Sequence, residues 1–340
     1  MGNKKIPSIV KEIQNFKPEA IKYGYQKAIS YSQFSVFKEC RYRWSKHYRE
    51  NVKIYTPSIY TIFGTAMHET LQNYLDVMYN ESIVKADEID LVEYFEEALR
   101  KEYKGNFKKN KDLHFTSSEE LHEFYEDGLN IIEFFKKNKT KYFSKRGWHL
   151  VGCEIPIRVI PNSKYPNVLF QGFIDVLMYH EETETFKVID LKTSTYSWGP
   201  KKKKDQLKQL QLVFYKKYLS QMFNIPIDKI EIEFIILKRK LYESADYAIP
   251  RIQQFIPASG KVKLNKAKNE IDEFITTAFN PKGGFSELKY EPTPSKEACF
   301  YCPFKDMPEH CDVKGKTVSR ATKSAKSEAK EVFKKNKKNN

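Results

Sequence analysis

Residues 170–194, FQGFIDVLMYHEETETFKVIDLKTS, constrain this chain more than any other stretch. Two apolar runs flank a polar segment at 180–185, a pattern that predicts two strands joined as a hairpin. Asp175 sits in the first run, and Asp190 and Lys192 sit in the second. Charge among apolar neighbours is costly, because a buried carboxylate or ammonium loses its hydration and must find a partner. Charges kept in such places point to a site that uses them. Two carboxylates and one ammonium converging at the end of a hairpin have the chemistry to hold a divalent cation and to meet a developing anion.

The surrounding elements follow from periodicity. Residues 8–27 are mixed and polar, with room for one short helix. Across 30–50, Phe34, Phe37, Cys40, Arg41, Trp44 and Tyr48 recur at three- and four-residue spacing, which predicts a helix with an aromatic face and Ser32 as its N-cap. A second helix is expected over 60–79, with Ile62, Ala66, Leu71, Leu75 and Met78 as its stripe. His68 lies in that stripe beside Gly64, Thr65 and Ala66, small residues that allow another segment close. Amphipathic helices over 89–103 and 118–137, split by a Lys/Asn-rich loop at 104–111, make 83–145 read as a helical insertion without chemistry of its own.

From Leu150 the period changes to two. Val151, Cys153, Ile155, Ile157 and Val159 alternate with Gly152, Glu154 and Arg158, which signals a strand; Pro156 argues that it is an edge strand. Glu154 fits a solvated strand face better than a metal contact. A helix over 205–222 carries Leu207, Leu210, Phe214 and Tyr218 on one side, and a further strand spans 229–238. Lys201 to Lys204 precede that helix and fit a solvated loop or a phosphate contact equally well. A last helix is expected over 262–279, whereas 241–260 has no clear element. Three strands, a helix and another strand imply an α/β fold, a central mixed sheet with helices on its faces.

With 340 residues, 40% of them hydrophobic and 14% aromatic, the chain has material for a large core. The expected organisation is one domain over 1–311 and a basic tail over 312–340 that is too poor in apolar residues to fold alone. The tail holds ten Lys/Arg and three Asp/Glu, net +7 of the chain's +15, so the body keeps +8. That excess suits a polyanionic partner. No run of about 18 apolar residues and no signal-peptide core exist, so the expectation is a cytoplasmic protein with no membrane span.

The five cysteines are expected to be free of disulfides in such a compartment. Cys299, Cys302 and Cys311 form a C-x2-C-x8-C cluster, the loop at 298–311. A closed site wants a fourth thiolate, and Cys40 is the natural one, with His310 as a replacement in a zinc site. Cys153, on a strand pattern, reads as a small core hydrophobe. Four thiolates suit zinc or an iron–sulfur cluster.

Six pieces of the chain, in order, resemble the PD-(D/E)xK nuclease superfamily, and within it the RecB-like exonucleases that carry an iron–sulfur cluster, the AddB-type and CRISPR-associated ones. Residues 32–40 resemble the motif with the first cluster cysteine, and GTAMH at 64–68 resembles the histidine motif. GFID at 172–175 matches G-x-x-D, VIDLKT at 188–193 matches D-x-K, and QLVFY at 211–215 matches Q-x3-Y. Cys299, Cys302 and Cys311 match the closing cysteines. Two departures stand out: Arg41 follows the first cysteine where the family often has proline, and no helicase motor is fused, since GKT at 315–317 lacks the upstream glycine of a P-loop.

The resemblance implies a restriction-endonuclease-like core, one nuclease domain over 1–311, and metal-dependent hydrolysis of DNA phosphodiester bonds by an exonuclease of replication, recombination or repair. It implies Mg2+ or Mn2+ on Asp175, Asp190, the Leu191 carbonyl and His68. Lys192 would orient water or stabilise charge, with Gln211 and Tyr215, one helical turn apart, orienting Lys192 or touching the DNA backbone. It implies a [4Fe-4S] cluster on Cys40, Cys299, Cys302 and Cys311, with zinc as the alternative. The expected partner is DNA, as a single strand or a duplex end, with a helicase or a replication or recombination protein as companion. Lys- and Asn-rich usage would suit an AT-rich genome, that of a phage or of a low-GC bacterium. The competing reading is a non-catalytic nucleic-acid-binding scaffold on an inactivated nuclease fold, against which the intact Asp175, Asp190 and Lys192 set argues.

Overall fold

The computed structural model describes residues 7–22, 24–242 and 249–312. The tail expected after Asp312 lies outside the described residues. In chain order the elements are α1 (Ser8–Asn15), β1 (Lys27–Ile29), α2 (Tyr31–Glu39), α3 (Arg41–Trp44), a π-helical turn (Ser45–Arg49), α4 (Ile59–Asn80), α5 (Ile83–Glu88), α6 (Leu91–Lys109), α7 (Ser118–Tyr142), β2 (Trp148–Val159), β3 (Val168–His180), β4 (Thr185–Ser194), α8 (Pro200–Lys203), α9 (Gln206–Phe223), a 3-10 turn (Ile227–Lys229), β5 (Ile230–Lys238), β6 (Ile252–Phe255), α10 (Lys261–Ala278) and α11 (Lys296–Phe300).

The strands form one mixed sheet. β2 and β4 run antiparallel to β3, β5 lies parallel to β4, and β6 closes the far edge antiparallel to β5. β1 is parallel to β3. Phe170 pairs with Val159 of β2 and with Ile29 of β1, while Val176 pairs with Cys153 of β2 and Ile189 of β4. A strand has only two edges, so β1 and β4 share one edge of β3 and β2 follows the other. Between the β1 and β4 ladders, residues 171–175 of β3 have no strand partner on that edge among the described residues. This gap holds the Gly172 to Asp175 motif.

Each sheet face has its own core. Side chains of α1, α2, α9 and α10 pack on one face around Phe34, Phe170, Phe214 and Phe274. Those of α4 to α7 pack on the other around Phe63, Tyr74, Phe95 and Phe135. The result is an α/β fold with a mixed sheet between helical layers, consistent with a restriction-endonuclease-like fold. β4 and β5 are buried on both faces, which is why their sequences read as continuous apolar runs rather than alternations.

Several boundaries differ from the sequence reading. Ser30, not Ser32, caps α2, its hydroxyl accepting from the Gln33 N–H at 3.2 Å. The expected single helix over 30–50 breaks at Cys40, which is extended (φ −159°, ψ 109°) and caps α3 through its sulfur, 3.5 Å from the Arg43 nitrogen. The aromatic face survives the break: Trp44 is fully buried, with Phe37, Tyr48, Phe274, Phe279, Phe285 and Tyr290 centred 5.5–6.4 Å from its ring. Helix α6 runs on to Lys109 through the expected loop, because lysine is a good helix former and a charged face is at home in water. β1 and β6 span three and four residues, too short to show a period.

Candidate active site

The site grows from the gap along β3. The β3–β4 ladder ends at Val176 opposite Ile189, and one residue further on each strand stand Asp175 and Asp190. Beyond that rung β4 leaves β3 but stays paired to β5 as far as Ser194. The two strands therefore splay into a fork with a carboxylate on each prong. Leu191, released from the ladder, donates its N–H to Asp175 Oδ2 at 2.8 Å, so the side chain takes over a bond that the sheet gives up.

Asp190 is almost fully buried, and its Oδ1 has no hydrogen-bond partner among the described residues. Lys192 Nζ lies 2.6 Å from Asp190 Oδ2, a close ion pair. Burial pushes both carboxyls up to about 6, against the opposing pull of the Lys192 ammonium on each; the charge on Asp175 adds to the rise at Asp190. Burial alone would lower the Lys192 ammonium, yet Asp190 and Asp175 together hold it above its ordinary value.

Helix α4 supplies the third wall. Its Gly64 lies so close to β4 that a Cβ there would stand 3.3 Å from Thr193 Oγ1. One turn later, on the same face, His68 points its Nδ1 at Asp175 Oδ2, 3.6 Å away, and hydrogen-bonds the Leu191 backbone. Burial lowers the His68 pKa more than the Asp190 charge raises it, so the imidazole is neutral near pH 7, the form that ligates metals. One turn further, Gln72 donates from Nε2 to the Asp175 carbonyl at 2.9 Å and to Glu154 Oε1 at 2.8 Å.

The opposite wall is α9, with Asp205 as its N-cap. Gln211 Nε2 reaches Tyr215 OH at 3.5 Å, and Tyr215 packs on the bare backbone of Gly172, where a Cβ would come within 2.9 Å of the ring. Glycine is required here by close approach rather than by dihedral freedom. The structure thus gathers His68, Asp175, Asp190, Leu191, Lys192, Gln211 and Tyr215 around one fork. Among the described residues, no three His, Cys, Asp or Glu side chains already form a metal-ligating group.

Three neighbours escaped the sequence reading as site residues. Gln72 follows His68 at i, i+4 spacing, a signal available in the sequence. Glu154 is exposed, as a solvated strand face requires, but its backbone is left-handed (φ 53°) where β2 passes Asp175, and Gln72 holds its carboxylate. Phe173, 55% exposed, shares a strand face with Asp175.

The cysteines converge elsewhere. Cys40, Cys299, Cys302 and Cys311 line one small cavity between the α2–α3 junction and α11 with the turns after it. Burial raises the Cys302 thiol, the nearby Arg43 lowers it, and the charges of Cys40 and Cys311 add to the rise. Tyr42 OH donates to the His310 carbonyl at 2.9 Å and clamps the two segments. The His310 ring sits against Phe304 and is not part of the cavity lining. Cys153 packs against the α4-side core, with its thiol pushed up to about 12 by burial.

Comparison with known proteins agrees with this geometry. A search of the curated proteins finds no match to this chain. The model of the PD-(D/E)XK nuclease superfamily matches residues 28–307, a span that runs from β1 through the fork to the cysteine-bearing segment after α11. Nucleases of that superfamily use divalent metals such as Mg2+ or Mn2+, and the chain belongs to the PD-(D/E)XK nuclease superfamily.

Proposed function

We propose that this chain is a divalent-metal-dependent DNA exonuclease of the RecB-like kind, working in replication, recombination or repair beside a helicase or recombination protein. The observation that carries the metal-dependent chemistry is the fork itself: two carboxylates with raised pKa, a buried unpartnered carboxylate oxygen, a neutral imidazole and an ammonium meet where β4 leaves β3. The exonuclease reading rests on the order of the motifs, and DNA as partner on the family.

An Mg2+ or Mn2+ ion held by Asp175, Asp190, the Leu191 carbonyl and His68 would acidify a water and neutralise charge on the phosphate. Asp175 and Asp190 supply negative charge at fixed positions, because the Leu191 N–H and Lys192 hold them. Lys192 would then have its ammonium available to the attacking water or a non-bridging oxygen. Tyr215 and Gln211, bonded to each other, would form the α9 wall of the site and orient Lys192 or touch the DNA backbone. The test is degradation of end-labelled single- and double-stranded DNA by purified protein with Mg2+, Mn2+ or chelator. Stepwise shortening from one end supports the reading; intact DNA in every metal overturns it.

The raised carboxyl pKa values give this site a pH signature. An ordinary aspartate titrates near 4, so between pH ~4 and ~6 the native state binds more protons here than the unfolded chain. The pair's contribution to stability therefore falls as pH rises through that window, and a bound cation restores it. Thermal stabilisation by Mn2+ is expected to be slight near pH ~5 and to grow through pH ~6 to a plateau near ~7.5. Melting curves with and without Mn2+ at those pH values check this; a shift independent of pH, or one kept by Asp190→Asn, contradicts it.

We further propose a [4Fe-4S] cluster, or a zinc ion in its place, on Cys40, Cys299, Cys302 and Cys311. Four thiols around one cavity fit either. Such a centre ties α2 to the segment after α11 and closes a loop around nearly the whole sheet. Cys40→Ala is expected to lose the metal and to lower the melting temperature by about 10 °C, while chemistry at the fork survives in the folded fraction. Iron and zinc analysis after anaerobic purification checks this: wild-type protein with neither metal sinks it.

A further inference from the structure

We infer that the surface just beyond β4, built from the Tyr196–Tyr242 pair and the lysines of α8, is the track for an unpaired DNA strand entering the fork. The inference rests on the nuclease reading and names the form of substrate that this site takes. Tyr196 and Tyr242 are 41% and 58% exposed, and their rings stack on each other at 4.8 Å and 14°. Two large aromatic rings are held nearly parallel and exposed, rather than in a core, and among the described residues neither ring makes another aromatic contact.

Their position is set by the fork. β4 ends at Ser194, and Tyr196 follows Lys192 by four residues, within about 14 Å of extended chain. The Arg239 N–H bonds the Ser194 carbonyl at 2.9 Å and the Lys240 N–H bonds the Thr195 carbonyl at 2.8 Å, which brings the segment carrying Tyr242 alongside. The sequence then places four lysines in a row, and Lys201, Lys202 and Lys204 are exposed. Lys202 bonds Ser194 Oγ at 3.1 Å and lies over the Trp198 ring, so the short helix leans against the end of β4. The nearest acid in sequence, Asp205, is engaged by Lys208 and by the N-terminus of α9.

An aromatic platform beside a lysine row is how sequence-tolerant binding of single strands works: bases stack on rings and phosphates meet cations. A duplex keeps its bases stacked on one another, so it offers the tyrosines a free base face only at its ends. The platform therefore selects an unpaired strand, and its attachment to β4 directs that strand toward Asp190 and Lys192.

Binding in excess chelator separates this from cleavage. Full-length protein is titrated with a fluorescent oligothymidylate and with a blunt duplex of the same length, at several salt concentrations, by anisotropy. Tyr196→Ala and Tyr242→Ala should each weaken oligothymidylate binding about ten-fold with an unchanged salt slope. Joint replacement of Lys201, Lys202 and Lys204 by alanine should lower that slope by about 2. Duplex binding should move less than two-fold in all of them. Oligothymidylate binding unchanged in these variants, an equal loss for duplex, or a wild type that prefers duplex overturns the track. Should a tyrosine variant misfold, the surface lysine set decides alone. A wild type that binds as described yet cuts nothing in Mg2+ or Mn2+ overturns the nuclease reading and leaves the track standing.

Discussion

Asp190→Asn is expected to bring metal-dependent DNA cleavage down by about three orders of magnitude, and Lys192→Gln to do the same, with the fold intact. Asp190 is the most buried charge in the fork, and its Oδ1 has no partner among the described residues. A group kept ionised there has only a cation to answer it. Asparagine keeps the shape and removes the charge that would hold the metal. Because burial raises the Asp190 pKa, the neutral amide also relieves a cost, so the variant should melt no lower than wild type near neutral pH. Lys192→Gln removes the one ammonium beside both aspartates. Rates on end-labelled DNA, beside melting curves and binding in chelator, check the pair. Either variant within ten-fold of wild type would falsify the assignment.

The second large effect is on stability. Asp127 on α7 meets Arg239 just past β5 at 2.8 Å, both side chains nearly inaccessible, and takes Lys240 at 2.9 Å on its other oxygen. The Arg239 guanidinium also lies over Phe124, 3.6 Å from the ring centre. Asp127→Ala leaves that guanidinium buried with Thr195 Oγ1 at 3.3 Å as its remaining side-chain hydrogen bond among the described residues, and removing one partner of a buried pair typically costs about 3–5 kcal/mol. Urea unfolding should show a loss of that order. Replacing both ends, Asp127→Leu with Arg239→Met, should recover most of it, because the burial of charge goes with the pair. A loss below about 1 kcal/mol for Asp127→Ala would mean that Lys240 and solvent carry the interaction.

This pair ties the helical layer of α4 to α7 to the end of β4, through Arg239 and its bond to Ser194. The helices over 83–142, which read from sequence as a bystander insertion, thus brace the prong that carries Asp190 and Lys192. The sequence showed the amphipathic faces of α6 and α7. It had no way to show that Asp127, one acid among many on a charged helix, faces inward to a residue over a hundred positions away.

What the sequence determined by itself is local. The period-two run placed β2, and short apolar runs placed β3, β4 and β5; the three- and four-residue spacings placed α4, α7 and α9. The chemistry-bearing residues were legible because each breaks its local pattern: Asp175, Asp190 and Lys192 are charged in apolar strands, and His68 interrupts an apolar stripe. Only the tertiary structure decided that β1 and β4 share one edge of β3 and leave 171–175 bare, that the Leu191 N–H turns to Asp175, that Gln72 spans Asp175 and Glu154, and that Cys40 shares a cavity with Cys299, Cys302 and Cys311. Periodicity reports which face of an element meets the core, because burial of apolar area acts residue by residue. Strand partnership, the end of a ladder and the meeting of distant side chains depend on contacts between segments far apart in the chain, and no local spacing records them.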